Sequence, residues 1–364
     1  MKLLILHKAK DIYEKYERRI GIALMALGFT VDNLTLNRID LLLDNLILFT
    51  YLMIAITSII TINAYASGRL QYTFMHTMHP WLTLPLQYAF GGLFSGFFIF
   101  YSRSASFIAS WPFLLMLAAL LVGNELARTK YARCTFQITT FYTALFSFSI
   151  FYIPVLTKRI GADIFLLSGI VSLLCISAIL LLLRKLSPER FQKSQKSIII
   201  SIATVFSVFN VMYYTNIIPP IPLSLKAIGV YHSIERSNSR YSAYAEAPQW
   251  YQFYNDTGRV FHRYGNEPIF VFSSVFAPTD LKTPIFHRWS LYDEKSQRWI
   301  EKDRLSFSIV GGRDGGYRGY SYKQNIQPGR WRVDVVTKRN QLIGRITFTV
   351  TAVELPPQTK PVAL

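Results

Sequence analysis

The sequence predicts an α-helical multi-pass membrane domain of about seven spans, followed by an all-β sandwich domain of immunoglobulin-like form. Uncharged apolar runs long enough to cross a bilayer fill the first 218 of 364 residues, and hydrophobic residues make up 51% of the whole chain. Pro219-Pro220 closes the last of these runs. Beyond it, apolar and polar residues alternate with a period of two in short segments that turn residues separate, which is the pattern of strands.

The apolar runs define the membrane half, residues 20–218, after a charged cytoplasmic or interfacial helix over residues 1–19. The clearest run, Ala162–Leu183, has one acid near its start and no base. At about 1.5 Å per residue, a helix of this length matches the roughly 30 Å hydrocarbon core. The predicted spans are Ile20–Leu36, Leu42–Asn63, Pro85–Tyr101, Ala105–Gly123, Thr135–Val155, Ala162–Leu183 and Ser197–Ile218.

The distribution of Lys and Arg between the spans predicts their orientation. With seven spans and the N-terminus inside, fifteen bases fall in inside segments and four in outside segments. If Ile20–Leu36 enters the membrane without crossing it, the N-terminus moves outside. Its six bases then contradict the rule that Lys and Arg are more abundant in cytoplasmic segments. The bias therefore predicts a cytoplasmic N-terminus and an extracytoplasmic C-terminal domain. In a bacterium this means an inner-membrane protein with a periplasmic domain.

Residues 268–352 are predicted as an antiparallel sandwich of six or seven strands. The segment Ile285–Tyr292 shows the alternation, since His287 and Trp289 fall on one face and Arg288 on the other.

Residues 219–267 are predicted as an aromatic-rich juxtamembrane connector, and residues 353–364 as a C-terminal tail. Both cysteines, Cys134 and Cys175, belong to the membrane half, so no disulfide holds the β domain together.

The net charge of +18 is compatible with nucleic-acid binding, so the location of the charge matters. Of the 39 Lys and Arg, 19 lie in residues 1–218, almost all between apolar runs, where they act as topology signals. Nucleic-acid binders concentrate base on one soluble face within a recognisable module, and the sequence contains no such module. Nucleic acid is therefore not expected as a partner.

Three segments of the β half carry a resemblance to a known family. They are FHRWSLYDEKSQRW at 286–299, GGRDGGYRGYSYKQNIQPGRWRVDVV at 311–336 and GRITFTV at 344–350. Together they resemble the bacterial domain of unknown function 2914, and IPPIPLSLKAIGVYHSI at 218–234 is similar to the upstream part of its membrane-anchored members. The resemblance implies a multi-pass bacterial membrane protein with a small β domain. Because the family has no established activity, it implies no catalytic residue.

The glycine-rich segment 311–320 is the densest candidate binding site. Its five glycines permit positive φ angles and close approach of a ligand or another chain. Arg313 and Arg318 are suited to charge-assisted hydrogen bonds with carboxylate or phosphate, and Tyr317 and Tyr320 are suited to stacking. The alternative is a structural hairpin whose arginines are solvated or pair with the acid of the same segment.

His287, Trp289 and Arg332 form a second candidate set, on two basic and aromatic strand segments. In one interpretation, Trp289 and Trp331 fill the sandwich core while the arginines line its outside. In the other, these residues form a basic and aromatic surface that binds anionic polymer, lipid headgroups or a partner protein.

Four charged residues crowd the turn between the first two predicted spans: Asp32, Arg38, Asp40 and Asp44. Acids at membrane depth are costly and often belong to ion or proton paths. Here they fall near helix ends, so local pairing with Arg38 is the alternative. Because no span centre carries a charge, an ion-coupled transporter is disfavoured.

Other motifs predict no metal site and no cofactor. His76 and His79 have the spacing of metal ligands, but no carboxylate or thiol lies near them in sequence. No HExxH, GxSxG or CxxC motif occurs. Gly92 and Gly96 have the spacing that permits close packing of helices, within the bundle or between chains.

These observations predict an inner-membrane protein, embedded in the lipid bilayer, whose extracytoplasmic sandwich binds an envelope polymer, a lipid headgroup or another protein. No catalysis is expected. One alternative is a transporter or channel with a regulatory β domain. A further alternative is a membrane enzyme that uses His287 or Asp314 on a lipid-linked substrate.

Overall fold

The computed structural model describes residues 27–36, 41–70, 82–104, 107–126, 133–237, 240–246, 259–278, 281–310 and 316–364. The chain divides into two compact units. The first is helical and accounts for most residues up to Ile217, and the second is β-rich and consists mainly of Ile218–Leu364.

The helical unit contains the apolar helices that the sequence predicts. Residues 27–35 are helical. The longer helices are α1 (Leu42–Ala66), α2 (Thr83–Ser104), α3 (Phe107–Leu126), α4 (Cys134–Thr157), α5 (Ala162–Leu186) and α6 (Pro188–Tyr214). All of these except α3 are long and apolar enough to cross a membrane, while the apolar stretch of α3 is the shorter Ala109–Asn124. The count of seven spans stays a prediction, because residues 20–26 lie outside the described residues.

Helix α6 differs from its predicted span at both ends, since it begins at Pro188 instead of Ser197 and ends at Tyr214 instead of Ile218. Pro188 suits the first turn, where a backbone N–H would lack an intrahelical partner anyway. The early turns are polar and basic, so hydropathy alone did not include them in the span.

Small and polar residues join the helices of this unit. At Gly92 on α2, an added Cβ would lie 2.5 Å from the ring of Tyr51 on α1, and Gly96 also faces α1. Asn63 on α1 donates a hydrogen bond of 2.7 Å to Gln137 on α4, and both side chains are buried. The glycine pair therefore packs helices within this chain, as its spacing predicts.

The β unit contains the strands β1 (Ser224–Tyr231), β2 (Ser233–Ser237), β3 (Arg240–Glu246), β4 (Arg259–Tyr264), β5 (Ile269–Phe276), β6 (Lys282–Asp293), β7 (Arg298–Val310), β8 (Tyr317–Lys323), β9 (Gly329–Thr337), β10 (Leu342–Val353) and β11 (Thr359–Ala363). They form three open sheets, of order β1-β5-β8, β4-β10-β9-β6-β7 and β11-β3-β2. The strands within the predicted range 268–352 pair with one another in antiparallel fashion, and β10 also pairs in parallel with β4, which comes from the segment predicted as a connector. The immunoglobulin-like form stays a prediction.

The strands also extend beyond the predicted sandwich range of 268–352. Strands β1 and β4, from the segment 219–267 predicted as a connector, pair with β5 and β10. Strand β11, from the predicted tail 353–364, pairs with β3. These are edge strands, which are half exposed and mix polar with apolar residues, so their sequences carry a weaker alternation than central strands do.

The main core lies between the sheet β1-β5-β8 and the five-stranded sheet. Trp289 and Trp331 are 0% and 2% exposed, and their rings meet edge to face with centroids 6.4 Å apart. Phe348 packs perpendicular to Trp289 at 6.3 Å. The interpretation that the tryptophans fill the core is confirmed.

Strand β5 is buried on both faces, because a third sheet covers the side that the main core does not use. Val271 and Val275 face the five-stranded sheet. Phe272 points the other way and packs against Ile234 and Ala243 of the third sheet. The β unit therefore has three layers, with β1-β5-β8 in the middle.

Candidate binding surface

The outward face of the five-stranded sheet carries a group of arginines on four adjacent strands. Because Trp289, Trp331 and Ile346 point into the core, the residues next to them in sequence point outward. These outward residues are Arg288, Arg330, Arg332 and Arg345, and register places Arg304 of β7 opposite Arg288 on the same face. The five arginines are called here the arginine face.

Strand register aligns the charged residues of this face in a row. Asp334 on β9 lies opposite Arg345 on β10 and also opposite Arg288 on β6. Arg288 in turn lies opposite Arg304 on β7. Directly opposite residues are close enough for their side chains to interact, so the row is one continuous charged network.

Asp334 is the centre of this network and is fully buried beneath the arginines. Arg345 donates to both carboxylate oxygens, from Nε at 2.5 Å and from Nη2 at 3.1 Å. Arg288 donates from Nη2 at 2.7 Å, and Arg332 Nε lies 3.4 Å away. Such bidentate and charge-assisted contacts hold the guanidinium groups in fixed positions.

The pKa values of this network follow from burial and from the charges around Asp334. Burial by itself would raise the pKa of Asp334, but the hydrogen bonds from Arg345 and Arg288 outweigh it, so the pKa is lowered. Burial, together with the neighbouring guanidinium groups, lowers the pKa of Arg332. Asp334 is therefore ionised at neutral pH.

The network contains more positive than negative charge. Three arginines contact the single carboxylate of Asp334. Glu301, which register places opposite Ser290 on the same face, is exposed. Arg304 instead donates to backbone carbonyl oxygens of the β9–β10 turn. Five arginines against these two acids leave this face positively charged.

Aromatic rings support Arg304 and Arg330, which do not contact Asp334, and also Arg332, which does. Arg304 lies over the ring of Phe286 at 4.3 Å from its centroid. Arg330 lies over Tyr292 at 4.9 Å, and Arg332 lies over Trp299 at 4.6 Å. Cation–π contacts of this kind restrict the guanidinium without neutralising it. The face is therefore an ordered array of cations.

The chemistry that this array supports is the binding of anions. A guanidinium group presents a planar fork of donors that matches carboxylate and phosphate oxygens. The side chains of Arg288, Arg345 and Arg332 are 22%, 21% and 16% exposed, so part of each remains accessible. Among the described residues, no group of three or more His, Cys, Asp or Glu side chains is arranged to hold a metal ion.

His287 and Trp289, which the sequence offers as binding residues, lie in the core and are both 0% exposed. His287 Nε2 is 2.7 Å from Ser273 Oγ and Nδ1 is 2.8 Å from Ser321 Oγ. Trp289 donates to the same Ser321 hydroxyl at 3.0 Å. Burial lowers the pKa of His287 to about 3, so the imidazole is neutral and inaccessible to a partner.

The described residues of the glycine-rich segment are divided between the two faces of β8. Arg313 lies outside the described residues. Tyr317, at the start of β8, packs against the core. Arg318 and Tyr320 lie on the other face of the same strand, because side chains alternate along it. Gly316 has a φ of +81°, and a Cβ there would lie 2.5 Å from the hydroxyl of Ser274, so a side chain is disfavoured at this position.

Of the other predicted binding residues, Arg332 belongs to the arginine face, on a different sheet from Arg318 and Tyr320. The structure therefore separates Arg332 from the residues of the glycine-rich segment. Sequence reasoning did not find Asp334 and Arg345, because their partnership depends on strand register. The sequence did contain one indication, since both residues alternate with apolar neighbours and therefore lie on the outward face of their strands.

The predicted membrane cluster is only partly within the described residues, because Arg38 and Asp40 fall outside them. Asp44 is buried in the first turn of α1, where the helix dipole favours a negative charge. Arg103 at the end of α2 donates to the carbonyl oxygens of Leu36 at 2.5 Å and Asn33 at 3.0 Å. Arg103 of α2 therefore supplies a positive charge near this turn, although it is distant from the turn in sequence.

A further polar cluster joins the third sheet to the five-stranded sheet. Glu246 on β3 lies 3.0 Å from His232 Nε2 and 2.7 Å from His262 Nδ1 on β4, and it accepts the backbone N–H of His262 at 2.8 Å. Burial would raise the pKa of Glu246, but these hydrogen bonds outweigh burial and lower it. The cluster is a structural link between two layers.

The comparisons with known proteins agree with the sequence resemblance. Residues 282–350 match the family described as "Protein of unknown function (DUF2914)", which confirms the resemblance to that family. The match contains all five residues of the arginine face. No curated protein matches the chain.

Two solved structures show weak similarity. One is a β-glucosidase from Listeria innocua in complex with gluconolactone, at 11% identity and a TM-score of 0.20, covering 35% of this chain and 16% of that one. The other is the Pseudomonas fluorescens alkylpurine DNA glycosylase AlkC bound to DNA containing an abasic site analog. It has 11% identity and a TM-score of 0.23, covering 78% of this chain and 83% of that one. Scores this low carry no argument about fold or function.

Proposed function

We propose that this chain is a bacterial inner-membrane protein whose C-terminal β domain lies on the periplasmic side and binds an anionic partner of the cell envelope. The N-terminus is cytoplasmic and no catalysis takes place. The observation that carries the proposal is the excess of ordered guanidinium groups on the arginine face.

Charge supports an anionic partner. Residues 219–364 contain 20 Lys and Arg against 12 Asp and Glu. On the arginine face, Asp334 and three aromatic rings hold the cations in place before any ligand arrives. A preorganised site loses less side-chain entropy on binding.

An anionic polymer suits the arginine face better than a single small anion. Neighbouring strands in a sheet lie about 4.8 Å apart. Arg304 and Arg288 lie on adjacent strands and Arg345 lies two strands from Arg288, so the three spread positive charge across the sheet. A polymer that repeats its negative charge contacts several of these arginines at once. Lipid headgroups and acidic proteins are the competing partners.

The test measures binding of polyphosphate, used as a model polyanion, to the full chain in nanodiscs of neutral phosphatidylcholine. The double variant Arg304→Gln/Arg330→Gln removes two exposed arginines and leaves the contacts of Asp334 intact. We expect affinity to fall by about tenfold or more, because each lost charge-assisted contact is worth roughly 1 kcal/mol or more. Binding also weakens as salt rises.

The matched control is Lys360→Gln, which removes an exposed base from the third sheet and keeps wild-type affinity. Equal loss in both variants, or no loss in either, contradicts the proposal. Binding to vesicles of anionic lipid but not to polyphosphate assigns the face to lipid headgroups instead of a polymer.

Sidedness has its own test. Alkaline phosphatase fused after Leu364 is active only outside the cytoplasm, so the proposed orientation gives active fusions. A fusion that is inactive, while a cytoplasmic reporter at the same position is active, overturns the periplasmic location of the domain.

A further inference from the structure

A second surface, formed by the middle sheet and the adjoining edge of the third sheet, carries four neighbouring aromatic rings. We call it the tyrosine shelf, and it consists of Tyr241 on β3, Phe270 on β5, and Tyr320 and Tyr322 on β8. Ring centroids are 6.3 Å apart from Tyr241 to Tyr320, 6.0 Å from Tyr320 to Phe270 and 5.5 Å from Phe270 to Tyr322. The rings therefore form one connected row.

The shelf is accessible because the third sheet covers β5 but leaves β8 open. Phe272 on β5 is buried against the third sheet, whereas Tyr320 and Tyr322 are 38% and 52% exposed. Core packing does not explain Tyr320 and Tyr322, because Tyr317, Gly319 and Ser321 are the residues of β8 that face the core. Tyr241 and Phe270 are partly buried against the third-sheet cluster around Phe272 and form the inner side of the shelf. Exposed aromatic rings that lie together on a protein surface mark binding sites.

The shelf also has a cation at one end. Alternation along β8 places Arg318 on the same face as Tyr320 and Tyr322. Within the described part of the chain, no ion pair joins Arg318 to a carboxylate. The charge therefore favours an anionic ligand over a neutral or cationic one.

We propose that the tyrosine shelf binds a linear acidic glycan. A pyranose ring has a face of C–H bonds that packs on an aromatic ring, and its hydroxyl groups form hydrogen bonds with tyrosine hydroxyls at the rim. A chain of such rings matches a row of aromatic side chains. The carboxylate of a uronic acid pairs with Arg318.

Several features favour a glycan over a lipid surface or an apolar peptide. Three of the four rings are tyrosines, whose hydroxyls suit a polar ligand, and successive rings are tilted by 75°, 45° and 31° instead of lining a flat apolar groove. The shelf lies on a different sheet from the arginine face. This inference does not rest on the proposed function, and either stands without the other.

The test titrates a hexamer of galacturonic acid into the full chain in phosphatidylcholine nanodiscs and measures the heat of binding. We expect Tyr320→Ala and Tyr322→Ala each to weaken binding about tenfold, since each removes a stacking ring. Arg318→Gln weakens binding of the acidic hexamer by a similar factor. It leaves the weaker binding of a neutral hexamer of glucose unchanged.

The matched control is Tyr264→Ala, which removes a tyrosine of comparable exposure, 41%, on β4 outside the shelf, and it binds like wild type. Thermal unfolding checks that every variant remains folded. The inference is overturned if wild type does not bind the hexamer, or if the folded Tyr320 and Tyr322 variants bind as tightly as wild type. It is also overturned if only Arg304→Gln/Arg330→Gln weakens binding, because the hexamer then occupies the arginine face.

Discussion

His287 and Asp334 lie on neighbouring strands of one sheet and are both fully buried, but they differ in the face that they occupy and in the charge of their hydrogen-bond partners. His287 faces the core, where its partners are the neutral hydroxyls of Ser273 and Ser321. Asp334 faces outward, where its partners are guanidinium groups. One buried group is held neutral and the other is held charged.

The difference teaches how each face of the sheet tolerates a polar group. A neutral imidazole has one donor and one acceptor, which two hydroxyls can satisfy without any charge in the core. A buried carboxylate needs cations, and cations remain stable only near water. The core face therefore stays neutral, while the outward face accumulates the arginines that give it a binding surface.

The largest expected effect is a loss of stability at low pH, where protonation of His287 would place a charge in the neutral core. The folded pKa of His287 is about 3, against an ordinary value of 6.5, so below pH 6.5 the unfolded chain takes up a proton that the folded chain does not. The contribution of neutral His287 to the free energy of unfolding is fully present above pH 6.5 and falls as the pH decreases toward 3. The total loss is about 5 kcal/mol, at up to about 1.4 kcal/mol per pH unit.

Urea unfolding between pH 7 and pH 5, followed by tryptophan fluorescence, measures this slope in a range where few carboxylates titrate. His287→Gln keeps hydrogen-bonding capacity but does not titrate, so its stability changes much less with pH. Substitution of the half-exposed His262 by Gln is the control and keeps most of the slope. A His287→Gln variant with the wild-type slope contradicts the prediction.

The next largest effect is expected from removing the negative charge of the outward face. Asp334→Asn leaves Arg288, Arg332 and Arg345 close together without their shared carboxylate. Loss of one partner from a buried ionic network costs about 3 to 5 kcal/mol, and we expect the unfolding free energy at pH 7 to fall by this amount. The same urea experiment measures it.

Glu301→Gln is the control for Asp334→Asn, because it removes an exposed acid from the same face and changes stability by less than about 0.5 kcal/mol. Adding Arg345→Gln to Asp334→Asn removes one of the repelling cations and recovers part of the loss. If Asp334→Asn is as stable as wild type, Asp334 does not hold the arginines in place.

The same comparison explains which parts of the structure were predictable from sequence. Alternation alone separated Trp289 from Arg288 and Trp331 from Arg332 onto opposite faces of their strands, because a period of two is fixed by strand geometry. Hydropathy alone located α1 and α5, since a membrane helix is defined by its length and lack of charge. Both signals are local in sequence.

The binding surface itself depends on contacts that are not local. Arg288 is 46 residues from Asp334, and Arg345 lies on the strand that follows Asp334, so strand order and register decide that the three meet. For the same reason, alternation could not distinguish His287 as a core residue from His287 as a surface residue. It gives two faces but does not say which one another sheet covers.

The smallest expected effect comes from removing either of the two hydroxyls that form hydrogen bonds with the neutral imidazole of His287. Ser321 contacts both His287 Nδ1 and Trp289 Nε1, whereas Ser273 contacts His287 alone. Ser321→Ala therefore leaves two buried polar atoms without a partner, and Ser273→Ala leaves one. At about 1 to 2 kcal/mol for each unsatisfied group, we expect Ser321→Ala to cost about twice as much as Ser273→Ala.

Each variant is a control for the other, because both remove one hydroxyl from the same interface. Urea unfolding at pH 7.5 isolates the hydrogen bonds, since His287 is neutral in both the folded and the unfolded chain at that pH. Equal losses in the two variants would mean that the Trp289 N–H finds another acceptor. The core would then satisfy its polar groups through rearrangement, and the fixed hydroxyl of Ser321 would not be required by Trp289.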